Sequence, residues 1–430
     1  MPVTPPPEVP VPREPVRLAL IGTGVRSRDT YLPLLKWLRP WMELTAVCDP
    51  VREHADAMAG ELAVPAFYDI RQLVASRPME AAVVVTPIPS HHSISVYLSG
   101  CGIHNHVETA WCSMLAQGRQ MVEAAAKNNV VVRVAENFLR FPIDRFAAVL
   151  RDDGYIGDIK RIFTYNDHAG YHSSSRWIAF ARSHPLWVQS VSHAMEHPPF
   201  YSRPQRHHER EVFRSRFFQF PGGLMAIDQA SNFKCWLGRH PRPGYSEWQG
   251  TRGTLVHRAA GHAWADSYHT PTEIRRCSDD AFADPASGRL GHGRAEQVAP
   301  VEMEMHDRRW CSIYADTPAG TIRYANPYRP DPLEQHRNEY YGSAVMDHMV
   351  DFALAVRGLR DSEFDEHDAL ISLMMEVAAR ESAMQEGRRI ALPFDGESEA
   401  DALERRRQRE LYGVDPMDIE AMLSVSFPPP

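Results

Sequence analysis

Gly22-Thr23-Gly24, with Ser27 completing a G-x-G-x-x-S triplet, follows the apolar run Val16–Ile21 and opens a helical stretch through Tyr31, Leu34, Leu35 and Leu38. Glycines at such a turn let the backbone approach a pyrophosphate, whose charge is favoured by the amides of a helix N-terminus. Ser27 stands where a third glycine is usual, and a side chain that small still permits close packing of helix on sheet. Asp49 closes the next apolar run, at about the 20-odd residues on where a ribose-binding carboxylate belongs. A carboxylate there accepts from a ribose 2′-hydroxyl and repels a 2′-phosphate, which favours NAD over NADP, although Arg52 lies close by. The plain alternative is a tight turn that binds nothing.

A second concentration of reactive groups spans 164–197: Tyr165, Asp167, His168, Tyr171, His172, Arg176, Trp177, His184, Trp187, Gln189, His193, Glu196 and His197. Tyr165 and His168 are candidate acid–base groups, or else substrate or structural contacts. His193-Ala194-Met195-Glu196-His197 spells H-x-x-E-H, in which two imidazoles four apart on a helix can share a metal. Pro198-Pro199 would end such a helix at once, so no metal is expected, with His193 and His197 as the fallback pair. Trp177 and Trp187 either stack on a sugar ring or pack between domains, and His207-His208 read as a solvated face.

These groups need elements to hold them. Short apolar runs at 16–21, 44–49, 81–86, 104–108 and 130–134 alternate with helical patterns at 51–62, 90–99 and 114–128, which predicts a doubly wound parallel sheet. From residue 155 the rhythm changes to strands at 159–165, 211–220, 223–229, 254–258 and 310–315, joined by turns at Gly222-Gly223 and Pro318-Ala319-Gly320. The expectation is an α/β Rossmann domain over 16–140 and an α+β domain over 141–395 with a largely antiparallel, open-faced sheet. An irregular insertion is expected near 260–300, and helices at 343–357 and 368–385. Residues 1–15 read as a disordered proline-rich tail, and 396–430 as an arm reaching a neighbouring subunit.

The chain has 430 residues, 43% hydrophobic and 24% charged, with a net charge of −8. That mix is globular, long enough for two domains, and too acidic for a nucleic-acid backbone to be the main partner. No apolar run approaches the roughly 20 residues of a membrane span. Six scattered cysteines without a CxxC pair read as reduced thiols of a cytoplasmic protein.

Ala82-Val83-Val84-Val85-Thr86-Pro87 with His91, then Gly102-Ile103-His104-Asn105-His106-Val107-Glu108, Asn137-x-x-Arg140 and the stretch Ala383–Arg388 together resemble the Gfo/Idh/MocA family (glucose–fructose oxidoreductase and inositol dehydrogenase relatives) over residues 16–395. The resemblance implies NAD(P) on the first domain and a polyol or sugar at the open face of the second domain's sheet. It also implies pairing of subunits into a dimer or tetramer. Thr86, Pro87, His91 and Glu108 would line the ribose and nicotinamide part of the cofactor site. The family's Glu-Lys-Pro motif departs here, with Thr109 for the lysine and Ala110 for the proline. Threonine is a poor proton donor or acceptor at neutral pH, so another residue does the proton work or the enzyme is impaired. The family's D-x-G-x-H-x-x-D helix reads Gln189-x-Val191-x-His193-x-x-Glu196, spacing that shares one helix face. A neutral imidazole there can accept a proton as hydride leaves, which makes His193 the candidate general base. Three functions follow: an NAD-dependent oxidoreductase acting on a hydroxyl of a sugar, cyclitol or glycoside; redox-neutral glycoside cleavage by oxidation and elimination with held NAD; or a non-catalytic dinucleotide-binding regulator.

Overall fold

The computed structural model describes residues 3–165, 170–203, 206–231, 235–236, 240–241, 245–258, 271–335 and 338–427. Six parallel strands form the first sheet: β1 (Val16–Ile21), β2 (Met42–Cys48), β3 (Ala66–Phe67), β4 (Ala81–Val84), β5 (His104–Val107) and β6 (Val132–Val134), in the order β3-β2-β1-β4-β5-β6. β1 and β4 are central and covered on both faces, which is why their sequences are nearly unbroken apolar runs. Strand order reverses between β1 and β4, so the crevice at their carboxyl ends is the switch point where ligands of such sheets bind.

The crossover after β1 is irregular: Ser27–Tyr31 is π-helical, Leu32–Leu34 is 3₁₀, and only α1 (Leu35–Leu38) is α-helical. Pro33 has no amide hydrogen to give to an i−4 carbonyl, which breaks the ladder there. The other crossovers are α2 (Arg52–Leu62), α3 (Ile70–Ser76), α4 (Ile88–Gly100) and α5 (Leu115–Asn128). After β6, α6 (Pro142–Asp153) leads into the second domain.

The second domain contains a nine-stranded sheet. Its central strands are β7 (Ile159–Tyr165), β8 (Trp187–Arg203), β9 (Arg206–Gln219) and β10 (Met225–Ser231). The order runs Ala295–Pro300, Thr272–Cys277, Gly253–Arg258, Tyr245–Gly250, β7, β10, β9, β8, Ile390–Ala391, antiparallel except where β10 pairs with β7. Helix α7 (Gly170–Ala181) lies between β7 and β8 in the chain. The late helices are α8 (Tyr341–Val356) and α9 (Glu366–Met384), the latter started by a capping box on Asp365. One sheet face is buried beneath helices. Across it run an apolar row, Val188–Phe218–Ala226–Ile162–Trp248, and a polar row, Ser190–Arg216–Asp228–Thr164–Ser246. Alternation along each strand sends Phe163, Tyr165, Val191, His193 and Phe217 to the opposite face. Glu302–His306, Arg309–Thr317 and Gly320–Ala325 form a separate antiparallel sheet.

Five expectations are corrected. Residues 189–196 are not helical; they lie within β8, paired through His193 with Phe213 and through Glu196 with Arg210. Pro198-Pro199 does not terminate the strand but interrupts its pairing, which resumes at Phe200 opposite His208, as expected where amide donors are missing. The expected disordered tail is held down: Thr4 donates to Glu304 (2.8 Å), the Trp41 indole donates to the Pro10 carbonyl (2.7 Å), and Arg357 donates to the carbonyls of Glu14 and Pro15. The stretch 260–300 contributes strands Thr272–Cys277 and Ala295–Pro300 to the main sheet. The C-terminal stretch forms α10 (Glu399–Tyr412) and docks on its own first domain, where Asp401 caps Leu115 and the Gln117 amide donates to the Pro416 carbonyl. Among the described residues, Cys48, Cys101, Cys112, Cys277 and Cys311 are free thiols, and no helix is long and apolar enough to cross a membrane.

Candidate active site

The β1 turn is built around a carboxylate. Asp49 is only 7% exposed. Its Oδ2 accepts from the Thr23 amide (2.7 Å) and hydroxyl (3.1 Å), and its Oδ1 accepts from the Val51 amide (2.9 Å). Ser27 Oγ donates back to the Gly22 carbonyl (2.5 Å), closing the turn where a third glycine would leave it open. Gly22 sits at φ +90°, and a Cβ there would lie 2.3 Å from the Val85 carbonyl oxygen. Gly24 has nothing within 4 Å of an ideal Cβ, so space lies over the turn where backbone amides at the start of the crossover helix lack intrahelical partners. These residues fit a dinucleotide pyrophosphate. Both oxygens of Asp49 already serve Thr23 and Val51, so a ribose would share this carboxylate with the turn itself.

The glycine at position 22 gives a direct expectation. Gly22→Ala forces a side chain into backbone at positive φ, a change of about 1–3 kcal/mol in stability. We expect lowered thermal stability and loss of dinucleotide binding, read by thermal unfolding and calorimetry; an unchanged NAD affinity would contradict the role given to this turn.

At the β4 end, Ser90 Oγ donates to Thr86 Oγ1 (2.7 Å), and Pro87 is the N-cap of α4. His91 is fully buried, with Nδ1 2.9 Å from the Ala110 carbonyl and Nε2 2.7 Å from the Thr86 carbonyl. A neutral imidazole donates from one nitrogen only, and burial holds His91 below the ordinary histidine range despite the carbonyls that favour its cation. His91 therefore ties the Thr86 loop to the Ala110 loop.

Glu108, at the β5 end, is engaged on both oxygens. Oε1 accepts from Arg26 Nε (2.6 Å) and the Tyr31 hydroxyl (2.9 Å), and Oε2 accepts from the Thr109 amide (2.8 Å) and hydroxyl (3.3 Å). Burial pushes this carboxyl up, but Arg26 outweighs it and holds Glu108 below the ordinary glutamate range. The Arg26–Glu108 pair thus spans the crevice between the β1 turn and the end of β5 as an ion pair. The Thr109–Ala110 peptide is cis.

Beyond Thr109 the chain forms one wall of a cleft of about 500 Å³. The segment Ala110–Ser113 and Glu136 bring the first domain to it; Tyr171 of α7, Arg214 and Arg216 of β9, Asp228 of β10, and Glu376 and Arg380 of α9 bring the second. Burial first, and then the charges of Glu136 and Glu108, hold the Tyr171 phenol above the ordinary tyrosine range, against a lowering contribution from Thr109. Tyr171 is therefore protonated at neutral pH. Glu136 Oε2 accepts from His172 Nδ1 (2.8 Å) and from Ser175 Oγ (3.0 Å), which fixes the His172 ring against Phe138 (4.2 Å between centroids). Arg216 binds Asp228 through Nε (2.8 Å) and Nη2 and binds Glu376 through Nη1 (2.7 Å), while Thr164 donates to Asp228 and Ser174 donates to Glu376.

The sequence candidates divide. Gly22, Thr23, Gly24, Ser27, Asp49, Thr86, Pro87, His91 and Glu108 gather at the crevice. His193 does not join them: it is exposed, and its partner Phe213 is one residue out of phase with the cleft-lining Arg214, so it faces the other side of the sheet. Tyr165 shares that far face. His168 lies outside the described residues. On a strand, His193 and Glu196 point to opposite faces, so the H-x-x-E-H geometry does not form; His197 Nδ1 lies 2.9 Å from the Pro198 carbonyl. Among the described residues, no group of three or more His, Cys, Asp or Glu is placed to hold a metal ion. The cleft also lies on the helix-covered side of the sheet rather than the open face. Trp177 is buried against Phe218 (5.2 Å), a packing residue. Glu136, Arg214, Arg216, Asp228, Glu376 and Arg380 were not singled out from sequence, because only the fold brings them together.

Residues 16–136 match the model of the Gfo/Idh/MocA oxidoreductase family, described as its NAD-binding Rossmann fold. The domain of residues 16–136 belongs to that family. D-apiose dehydrogenase from Paraburkholderia graminis is 27% identical over 145 residues, 32% of this chain and 37% of that protein, so the match spans little more than a third of the relative's length. Among solved structures, an oxidoreductase from Agrobacterium radiobacter, determined with NAD+, L-tartaric acid and magnesium, superposes with a TM-score of 0.62 at 13% identity, over 88% of this chain and 98% of that one. The WlbA dehydrogenase from Bordetella pertussis, determined with NADH and UDP-GlcNAcA, gives 0.59 at 16% identity, over 90% and 100%. At such identities the likeness is one of fold, and it covers both domains.

Proposed function

We propose that this protein is an NAD-dependent oxidoreductase that takes a hydride from a carbinol carbon of a sugar or sugar-like substrate, or delivers one to the corresponding carbonyl carbon, in the cleft between its domains. The observation that carries the reading is the placement of Thr109 and Ala110–Ser113: one loop leaves the cofactor crevice and walls the cleft that Tyr171 and the Arg216 cluster line. D-Apiose dehydrogenase is named for a sugar and the WlbA dehydrogenase was determined with UDP-GlcNAcA, which supports a carbohydrate-type substrate. NAD held on the β1 turn by the Gly22–Ser27 backbone supplies a hydride acceptor or donor. Glu108, kept ionised by Arg26, fixes the β5 loop. Tyr171, kept protonated by its surroundings, gives a proton to a substrate carbonyl oxygen during reduction, and the Glu136 carboxylate lining the same cleft takes the hydroxyl proton during oxidation. Glu136 and His172 stand behind Tyr171, with the carboxylate orienting the imidazole.

Incubation with NAD and a panel of sugars, polyols and sugar acids, read at 340 nm, is expected to give NADH with at least one of them. Absence of both cofactor binding and turnover would reject the reading, and NAD binding without turnover of any of them would favour the dinucleotide-binding regulator. Thr109→Lys separates a degenerate enzyme from one with its own proton donor. With Tyr171 in place, the lysine is expected to leave turnover unchanged or lower it; a gain of about tenfold or more would show that the missing cation had been limiting.

A further inference from the structure

Two guanidinium groups in the cleft have no role in the account above. Arg216 meets Asp228 directly across the strand pair, and Glu376 of α9 covers it from above. Two residues earlier on the same face, Arg214 stands between Ser192 of β8 and Ala230 of β10, neither of which carries a charge. One helical turn beyond Glu376, Arg380 projects from α9 into the same cleft. Among the described residues, neither Arg214 nor Arg380 makes a hydrogen bond or an ion pair, though both line the cavity and both are half-buried. The carboxylates of the cleft are already engaged, Asp228 and Glu376 by Arg216, Thr164 and Ser174 and Glu136 by His172 and Ser175, while Asp401 and Glu404 also act on Arg380 through their charge. Burial lowers the Arg214 pKa and Glu376 only partly restores it.

We propose that Arg214 and Arg380 form the seat of a substrate carboxylate, so that the cleft takes a sugar acid (a uronate or aldonate) rather than a neutral sugar. A carboxylate there gives two forked donors without a hydrogen-bond partner a planar acceptor of matching geometry. It also orients the carbinol carbon toward the Tyr171 side of the cleft. The inference rests on the dehydrogenase reading for its substrate, but binding tests it separately from turnover.

Calorimetry with the full chain and saturating NAD, using D-glucuronate, D-gluconate, D-glucose and D-glucose 6-phosphate as probes, provides the test. An acidic sugar is expected to bind at least about tenfold more tightly than glucose. Arg214→Gln and Arg380→Gln, each checked by thermal unfolding, are each expected to shrink that preference to within about threefold while the NAD affinity stays put. Equal binding of glucose, tighter binding of the phosphate, or an undiminished preference in both variants overturns the carboxylate seat. Neutral sugars oxidised as fast as acids would sink this inference and leave the dehydrogenase reading standing. Acids bound tightly without any absorbance change at 340 nm would do the reverse.

Discussion

Tyr171→Phe is expected to lower kcat by about 10²- to 10⁴-fold while leaving the NAD affinity and the folded structure intact, the range for loss of a positioned acid–base group. The phenol is the one ionisable group of α7 that lines the cleft, and burial together with Glu136 and Glu108 keeps its proton on at neutral pH. Phenylalanine keeps the ring contact with His172, 4.2 Å between centroids, so packing is preserved and only the proton is removed. Steady-state kinetics with calorimetric NAD titration separates the outcomes. A kcat within threefold of the parent would move the proton donor elsewhere, and equal losses in NAD affinity would show damage to the crevice rather than to chemistry.

Acidification from pH 7 to pH 5 is expected to cost several kcal/mol of folding stability. His91, His92, His106 and His348 are each at most 2% exposed. Burial, the leading cause in every case, holds His91 below its ordinary range, brings His92 to about 4 and His106 to about 3, and sets His348 well below. His106 Nε2 and His348 Nδ1 lie 2.8 Å apart, an arrangement that needs at least one ring neutral to accept and is lost when both are protonated. The unfolded chain binds protons at these sites below about pH 6.5 and the folded chain does not. Stability therefore falls with pH, by about 1.4 kcal/mol per unit for each imidazole. Urea unfolding at the two pH values measures it, and a flat stability would mean that the histidines are protonated in the folded protein.

The first domain was legible because a parallel sheet covered on both faces writes its strands as short apolar runs, and because the β1 turn needs glycine at a position where a Cβ would strike the Val85 carbonyl. His193 was misplaced for a specific reason. Residues four apart share a face on a helix and on a strand alike, so Gln189 and His193 could not discriminate; only Glu196, at an odd spacing, would have, and Pro198-Pro199 pulled toward a helix end. The polar row of Arg216, Asp228 and Thr164 left no local signal, since each residue comes from a different strand and only register aligns them. The tail and the C-terminal stretch read as loose because proline and charge dominate both, yet bonds such as Thr4 to Glu304 and Leu115 to Asp401 tie them to residues hundreds of positions away.

The account stands on a hydride passing between the dinucleotide at the β1 turn and a carbon held in the Tyr171 cleft. Turnover of a keto-sugar acid with NADH carrying deuterium at nicotinamide C4, followed by mass spectrometry of the product, reads that transfer directly. One deuterium in the product carbinol, lost when Tyr171 is replaced by phenylalanine, is the predicted result. A product formed without label, or no product from protein shown to bind NADH, would contradict it.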